Sequence, residues 1–381
     1  MLTRRSFLTA ATATSTPLLF GDGVSLLANE PMRRIERSAS PVLLETPIAA
    51  LAQPITPNEL HYVRNHFPTP MLDGRTWRLR VSGAVERELE LSLDDLRRMT
   101  SRTVTITLEC AGNSRASLEP SVRGVQWGNG AVSTSEWTGV SLIDVLNRAG
   151  LRGNAVDVVL EGADRGEITA EPRTPGVIQF ARSLPIAKAR QQDVLLAYRM
   201  RNAELPVNHG FPLRAIVPGW YGMSSIKWLT RIVVTDRAYN GYFQSLDYSI
   251  FERQQGIVTV TPLTEMQVKS LIISPVARHR VAPNSEHRVQ GVAWAGESAV
   301  RRVEISVDGG RTWADARLEI GAGTHAWRRW DHVWRTPAQA GRVTLMARAT
   351  DARGNVQPMQ RDTDRRNYMI NHVLPVEVEV R

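Results

Sequence analysis

Apolar and polar positions alternate from Trp77 to Val81, and short apolar-rich runs cover Val104 to Leu108, Val156 to Leu160, Leu213 to Val217 and Ile226 to Val234. These are the two signatures of half-buried and buried strands. Between them the period lengthens. Ser92-Leu-Asp-Asp95 ahead of Leu96 and Met99 has the form of a capped helix start, where side-chain oxygens serve the unpaired N–H groups of the first turn. Leu142, Val145 and Leu146 share one helical face after Ser141, and Gly150 supplies the stop. The first part of the chain therefore predicts an α+β domain, entered through an irregular, Pro-rich lead-in from about Thr46 to Phe67.

The pattern loosens from Tyr248 to Thr264 and then changes to short β runs separated by turns. Val303, Ile305 and Val307 alternate before Asp308-Gly309-Gly310, and Val343, Leu345, Ala347 and Ala349 alternate before Asp351 to Gly354. A β-sandwich is predicted there. At 381 residues, against roughly 150 per domain, two domains fit the length.

Hydrophobic residues at 42% and charged residues at 22% give a globular composition, and no apolar run reaches the roughly 18 residues that would cross a bilayer. No membrane span is expected. The net charge of +9 favours anionic partners, yet no zinc-finger spacing, ribonucleoprotein motif or basic heptad region accompanies it. Small anions fit the charge, and nucleic acid is not expected as a partner.

Arg4 and Arg5, followed by Phe7, Leu8 and a mildly apolar stretch to about Phe20, resemble a twin-arginine export signal over residues 1–28. That route carries folded proteins, commonly after a cofactor has been inserted, and it predicts a periplasmic location.

The single cysteine, Cys110, excludes an internal disulfide, a Cys-x-x-Cys metal site and covalent c-type haem. Its thiol is either inert core or chemistry. In Thr-Leu-Glu-Cys-Ala-Gly-Asn-Ser-Arg it follows a predicted strand, where Gly112 and Asn113 permit a tight turn and Arg115 favours the metal-binding thiolate. His61-Tyr-Val-Arg64-Asn65-His66-Phe-Pro carries a cation and imidazoles in a loop-like run. Asn208-His209-Gly-Phe-Pro-Leu-Arg214 and Pro218-Gly-Trp-Tyr-Gly222-Met-Ser-Ser225-Ile226-Lys227-Trp228 place bends, an arginine, a serine and a lysine together, a cradle for a phosphate-bearing group.

Together these segments resemble the sulfite oxidase family of molybdenum enzymes, over roughly Leu60 to Val380. The resemblance implies a molybdopterin-binding catalytic domain at 46–255 and an immunoglobulin-like dimerisation domain at 262–381. It implies Cys110 as the molybdenum ligand, and Arg64, Asn65, His66, Asp164, His209, Arg214, Ser225, Ile226 and Lys227 as molybdopterin contacts. Arg64, Arg115 and Trp127 are then expected around the anion pocket, with Tyr239 near the metal. Ser114 stands where animal members carry an arginine, and Arg328 and Arg329 are candidates for an arginine supplied by the second domain.

No His-Pro-Gly-Gly occurs in the sequence, so no haem is expected, and electrons are expected to pass to a separate acceptor such as a cytochrome c. The implied activity is oxidation of sulfite to sulfate. The alternatives are a family member acting on another sulfur compound or oxyanion, such as a sulfoxide reductase, or a non-catalytic exported binding module. A homodimer is implied by the second domain.

Overall fold

The computed structural model describes residues 32–321 and 323–381, so the twin-arginine segment lies outside the described residues. Met32–Arg381 forms one compact unit. It is built mostly of sheet, with a few short helices between the strands.

The first helix, Leu93–Arg97, begins as the sequence predicts. Ser92 accepts from the Asp95 N–H while the Asp95 carboxylate accepts from the Ser92 N–H, a complete capping box. The second, Leu142–Ala149, buries Leu142, Val145 and Leu146 fully and ends at Gly150, whose φ of 74° suits a residue without Cβ.

One five-stranded sheet orders Leu89–Leu91, Leu79–Gly83, Leu229–Thr235, Asp157–Gly166 and Ile178–Pro185. A second joins Ala203–Glu204, Leu195–Met200, Val132–Ser141 and Ser101–Glu109 in that order, with Arg214–Ile216 pairing against Leu195–Met200. The run from Ile226 to Trp228 stays outside the strand that follows it: Trp228 adopts φ 51° before Leu229 enters the sheet. Residues Ser249–Gln254 and Ile257–Pro262 form a hairpin whose turn residues Gln255 and Gly256 both have positive φ, the geometry that matches strand twist.

In the C-terminal half, a four-stranded sheet (Lys269–Ser274, Glu286–Trp294, Arg328–Arg335, Arg317–Leu318) and a five-stranded sheet (Arg280–Val281, Val376–Val380, Gly341–Asp351, Val300–Ser306, Ala314–Asp315) share one core. Val289, Ala293, Leu345, Ala349 and Val378 lie at its centre. The two halves are continuous. Leu271, Val292, Trp294, Trp327, Tyr368 and Met369 from the C-terminal half join the main core cluster of the N-terminal half.

Candidate functional site

Strand Ser101–Glu109 delivers Cys110 to the floor of a cavity. The Cys110 N–H donates to Ala131 O at 2.9 Å and its carbonyl accepts from Asn113 N at 2.8 Å, closing the turn that the sequence suggests. Gly112 is required by what lies against it: a Cβ there would meet Arg115 Nη2 at 2.2 Å. Gly124, at φ +115°, meets the same guanidinium from another side, with Nη1 at 2.6 Å from its Cβ position. Arg115 is pinned between these glycines. Its Nε donates to Asn367 O and its Nη1 to Val125 O, each at 2.9 Å, and its guanidinium carbon lies 5.4 Å from the Tyr368 ring centre.

The cavity is lined by Cys110, Arg64, Asp164, His209, Arg214 and Lys227 among others. It adjoins a second pocket that shares Arg64, His66, Cys110 and Tyr248 and adds Arg115, Arg123, Asp247, Asn367 and Tyr368. Cys110 therefore sits where a deep cradle meets an arginine-lined recess.

Within the cradle, Arg214 Nη1 and Nη2 donate to His209 O and Ser225 O, each at 3.0 Å. Lys227 Nζ donates to Asn208 O at 3.0 Å and to Asn65 Oδ1. Ser225 Oγ accepts from Val217 N at 3.0 Å, so Ser225 shapes the turn and also lines the cavity. Asn65 bonds Lys227, Thr69 and Asn208 and buttresses the cradle from behind. Ile226 is buried and bonds Ala215 N through its carbonyl, outside the lining.

Charge in the cradle is unbalanced. Arg64, Arg214 and Lys227 line it against the single carboxylate of Asp164. Burial pushes the Asp164 carboxyl up to about 7, against the pull of Lys227. Burial also pushes the Lys227 ammonium well down, with Arg214 adding to the effect, and lowers Arg214 to about 10. His61 falls to about 3 and His209 well below its ordinary value, chiefly through burial, so both imidazoles are neutral. Burial likewise holds His66 neutral, helped by Arg64.

Among the described residues, the buried nitrogens without a partner on side chains lining this cradle include His61 Nε2, His209 Nε2 and Arg214 Nε. Uncompensated buried polar atoms are costly, and a concentration of them beside excess positive charge suits a polar, anionic occupant. A pterin carrying a phosphate fits that donor set. Among the described residues no group of three or more His, Cys, Asp or Glu could hold a metal ion, so a metal at Cys110 needs its other ligands from such an organic group.

Some of the expected residues lie outside the lining of both pockets. Tyr239 does not line either pocket; its N–H is bonded to Asp157 Oδ2 and its hydroxyl lies beside Gly241. The tyrosines around Cys110 are Tyr248 and Tyr368, with Tyr62 in the cradle. Trp127 is fully buried in the apolar cluster around Cys110, Tyr62 and Leu43 and lines neither pocket. Arg328 is bonded to Glu319 O and Val300 O, and Arg329 to Ala52 O and the Glu319 carboxylate; neither reaches the recess. What the C-terminal half supplies there is Asn367 and Tyr368.

A lone thiol thus lies at the junction of a cationic cradle and an arginine-lined recess. Residues 66–243 match the "Oxidoreductase molybdopterin binding domain" family and residues 260–380 the "Mo-co oxidoreductase dimerisation domain" family. The chain is 38% identical to mitochondrial sulfite oxidase of Rattus norvegicus, over 90% of this chain and 65% of the relative. It is 39% identical to sulfite oxidase of Gallus gallus, over 84% of this chain and 72% of the relative. The chain thus spans just under two thirds of the mammalian relatives' length. The crystal structure of the sulfane dehydrogenase SoxCD from Paracoccus pantotrophus superposes with a TM-score of 0.78 at 28% identity, covering 98% of this chain and 93% of that one. The chain belongs to the sulfite oxidase family.

Proposed function

We propose that this protein oxidises sulfite to sulfate at a molybdopterin held in the cradle. The observation that carries the reading is Cys110 shared between the cradle and a recess flanked by Arg64 and Arg115. Molybdopterin bound there, with the Cys110 thiolate as protein ligand, supplies a two-electron oxidant for oxygen-atom transfer. Lys227, Arg214 and Ser225 hold its phosphate end, and His209 and Asp164 meet the pterin.

The chain's own residues bind and orient the substrate. Arg64 and Arg115 grip a small oxyanion through charge-assisted hydrogen bonds, and their fixed guanidinium planes aim its sulfur lone pair. Burial opposes the charge on Arg64, but its acidic surroundings, the Asp247 carboxylate among them, outweigh it and the guanidinium stays charged. Tyr248, raised mainly by burial, stays protonated and can donate to the substrate or to His66. Net turnover takes water and sulfite to sulfate, two protons and two electrons.

The two electrons pass singly to a separate cytochrome c, in a folded protein exported by the twin-arginine segment to the periplasm. The two-sheet C-terminal half serves as an immunoglobulin-like dimerisation domain. A second reading, a family member acting on another sulfur compound, follows from the likeness to SoxCD, which is named a sulfane dehydrogenase. Steady-state reduction of cytochrome c by sulfite, compared with sulfane sulfur donors and with sulfoxide reduction, tests the choice. Sulfite is expected to give the highest kcat/KM; a higher value for another compound overturns the substrate assignment.

A further inference from the structure

We propose that the C-terminal half is a positioning element for the Cys110 thiolate, acting through Lys269. The inference rests on Cys110 being the metal ligand and goes beyond it. The segment 109–115 is held from the C-terminal half at four points. Lys269 Nζ lies 3.2 Å from Glu109 Oε1 and donates to Ser114 Oγ at 2.9 Å. Trp294 Nε1 donates to Glu109 Oε2 at 2.9 Å. Met369 N donates to the carbonyl of Ala111, the residue after the cysteine, at 2.8 Å. Asn367 O accepts from Arg115 Nε at 2.9 Å.

The Lys269–Glu109 pair is fully enclosed, with side-chain exposures of 0% and 3%. Lys269 and Trp294 are directly opposite one another in neighbouring strands, so their two donors reach Glu109 from a rigid frame. Asn113 Nδ2 donates to Glu109 Oε1 at 3.1 Å while its Oδ1 accepts from Ala131 N at 3.0 Å, tying the carboxylate back to the turn. Ser114 is in the left-handed region at φ 71°, where a residue with Cβ sits only if its surroundings hold it. Its hydroxyl is fixed between Asn129 Oδ1, at 2.7 Å, and Lys269. The consequence is that a group far away in sequence, in the other half of the chain, sets where the sulfur between Glu109 and Ala111 points. Groups that orient a metal ligand without touching the metal commonly matter for affinity and rate.

The experiment compares three variants of the holoenzyme. Lys269→Met leaves a buried carboxylate without its cation and endangers folding, so Lys269→Met combined with Glu109→Gln removes both charges and keeps the test available. Lys188→Met is the control: Lys188 pairs with Glu297 at 2.7 Å across the same two halves but touches none of residues 109–115. Molybdenum content, the Mo(V) electron paramagnetic resonance g-values after reduction, kcat and KM are measured on each. The double variant is expected to shift the g-values and lower kcat by about 10-fold or more with a smaller change in KM, while Lys188→Met changes neither. Molybdenum loss confined to the Lys269 variants supports the proposal equally. Unchanged g-values and kcat in the folded, metal-loaded double variant overturn it, as does an equal shift in Lys188→Met. A parent protein that binds no molybdenum removes Cys110 as ligand, and the positioning role with it.

Discussion

The Tyr248 hydroxyl lies 2.7 Å from His66 Nε2, at the boundary shared by the cradle and the recess. Both groups are held uncharged, the tyrosine raised and the imidazole lowered chiefly by burial. A proton moved from the hydroxyl to the imidazole would leave a buried phenolate and imidazolium, so the pair rests as a neutral hydrogen bond that fixes the Tyr248 hydroxyl in place. Tyr248→Phe is expected to lower kcat by about 100-fold, within the usual range for a positioned proton donor, with molybdenum content unchanged. Tyr239→Phe, at a residue outside both pockets, should leave kcat within about twofold of the parent; stopped-flow reduction by sulfite checks both.

Arg115 binds through a fixed plane, so a lysine cannot replace it. Arg115→Lys should lower kcat/KM for sulfite about 10- to 100-fold, the scale of a lost charged hydrogen bond. Gly112→Ala should reproduce much of that loss, because the added methyl occupies the guanidinium's position. Steady-state kinetics with metal content as the control measures both; a Gly112→Ala enzyme of parental kcat/KM contradicts the packing described.

The Asp164 carboxyl, raised by burial to about 7, predicts a pH dependence of stability in the cofactor-free protein. A carboxyl whose folded value exceeds its unfolded value binds more protons when folded, so its contribution is complete below about pH 4 and is lost as pH rises to about 7. Removing the ionisable group removes that loss. The melting temperature of Asp164→Asn relative to the parent should therefore increase between about pH 4.5 and about pH 7.5, as thermal denaturation followed by circular dichroism would show. His61, lowered to about 3, acts in the opposite sense and is common to both proteins.

Much of this site was legible because its chemistry is local in sequence. The turn after Glu109 needs Gly112 and Asn113 near Cys110, and the cradle is written in two short segments, around His209–Arg214 and Ser225–Lys227. The capped helix at Ser92 and the helix ending at Gly150 were equally plain, since caps and faces span only a few residues. What was missed depends on long-range packing. Tyr248 follows Tyr239 closely in the chain, and only the fold decides that Tyr239 turns toward Gly241 and Tyr248 toward His66. Trp127 has the size of a pocket wall but is enclosed in the apolar cluster behind Cys110. Strand Ile178–Pro185 gave no alternation because it buries Arg182, whose Nη1 and Nη2 are bonded to Phe243 O and Leu263 O. The arginines expected from the second half belong to its own strand, while Asn367 and Tyr368 reach the recess from a loop without periodicity.

Loss of Lys227 should separate cofactor retention from folding. Lys227→Ala removes one of three cations in the cradle, and leaves Asn65 and Asn208 O to water. The variant is expected to remain folded and to retain less than about half of the parental molybdenum, on the scale of one charge-assisted contact. Metal analysis together with far-ultraviolet circular dichroism measures the two properties independently.

The central claim is that the sulfur of Cys110 is a ligand of a molybdenum ion bound by a pterin dithiolene. Molybdenum K-edge X-ray absorption of the purified protein and of Cys110→Ser tests it most directly. The account predicts that the parent's sulfur shell comprises the dithiolene pair plus one further sulfur, and that the serine variant keeps the pair, loses the additional sulfur and is inactive. An identical sulfur shell in the two proteins would contradict it.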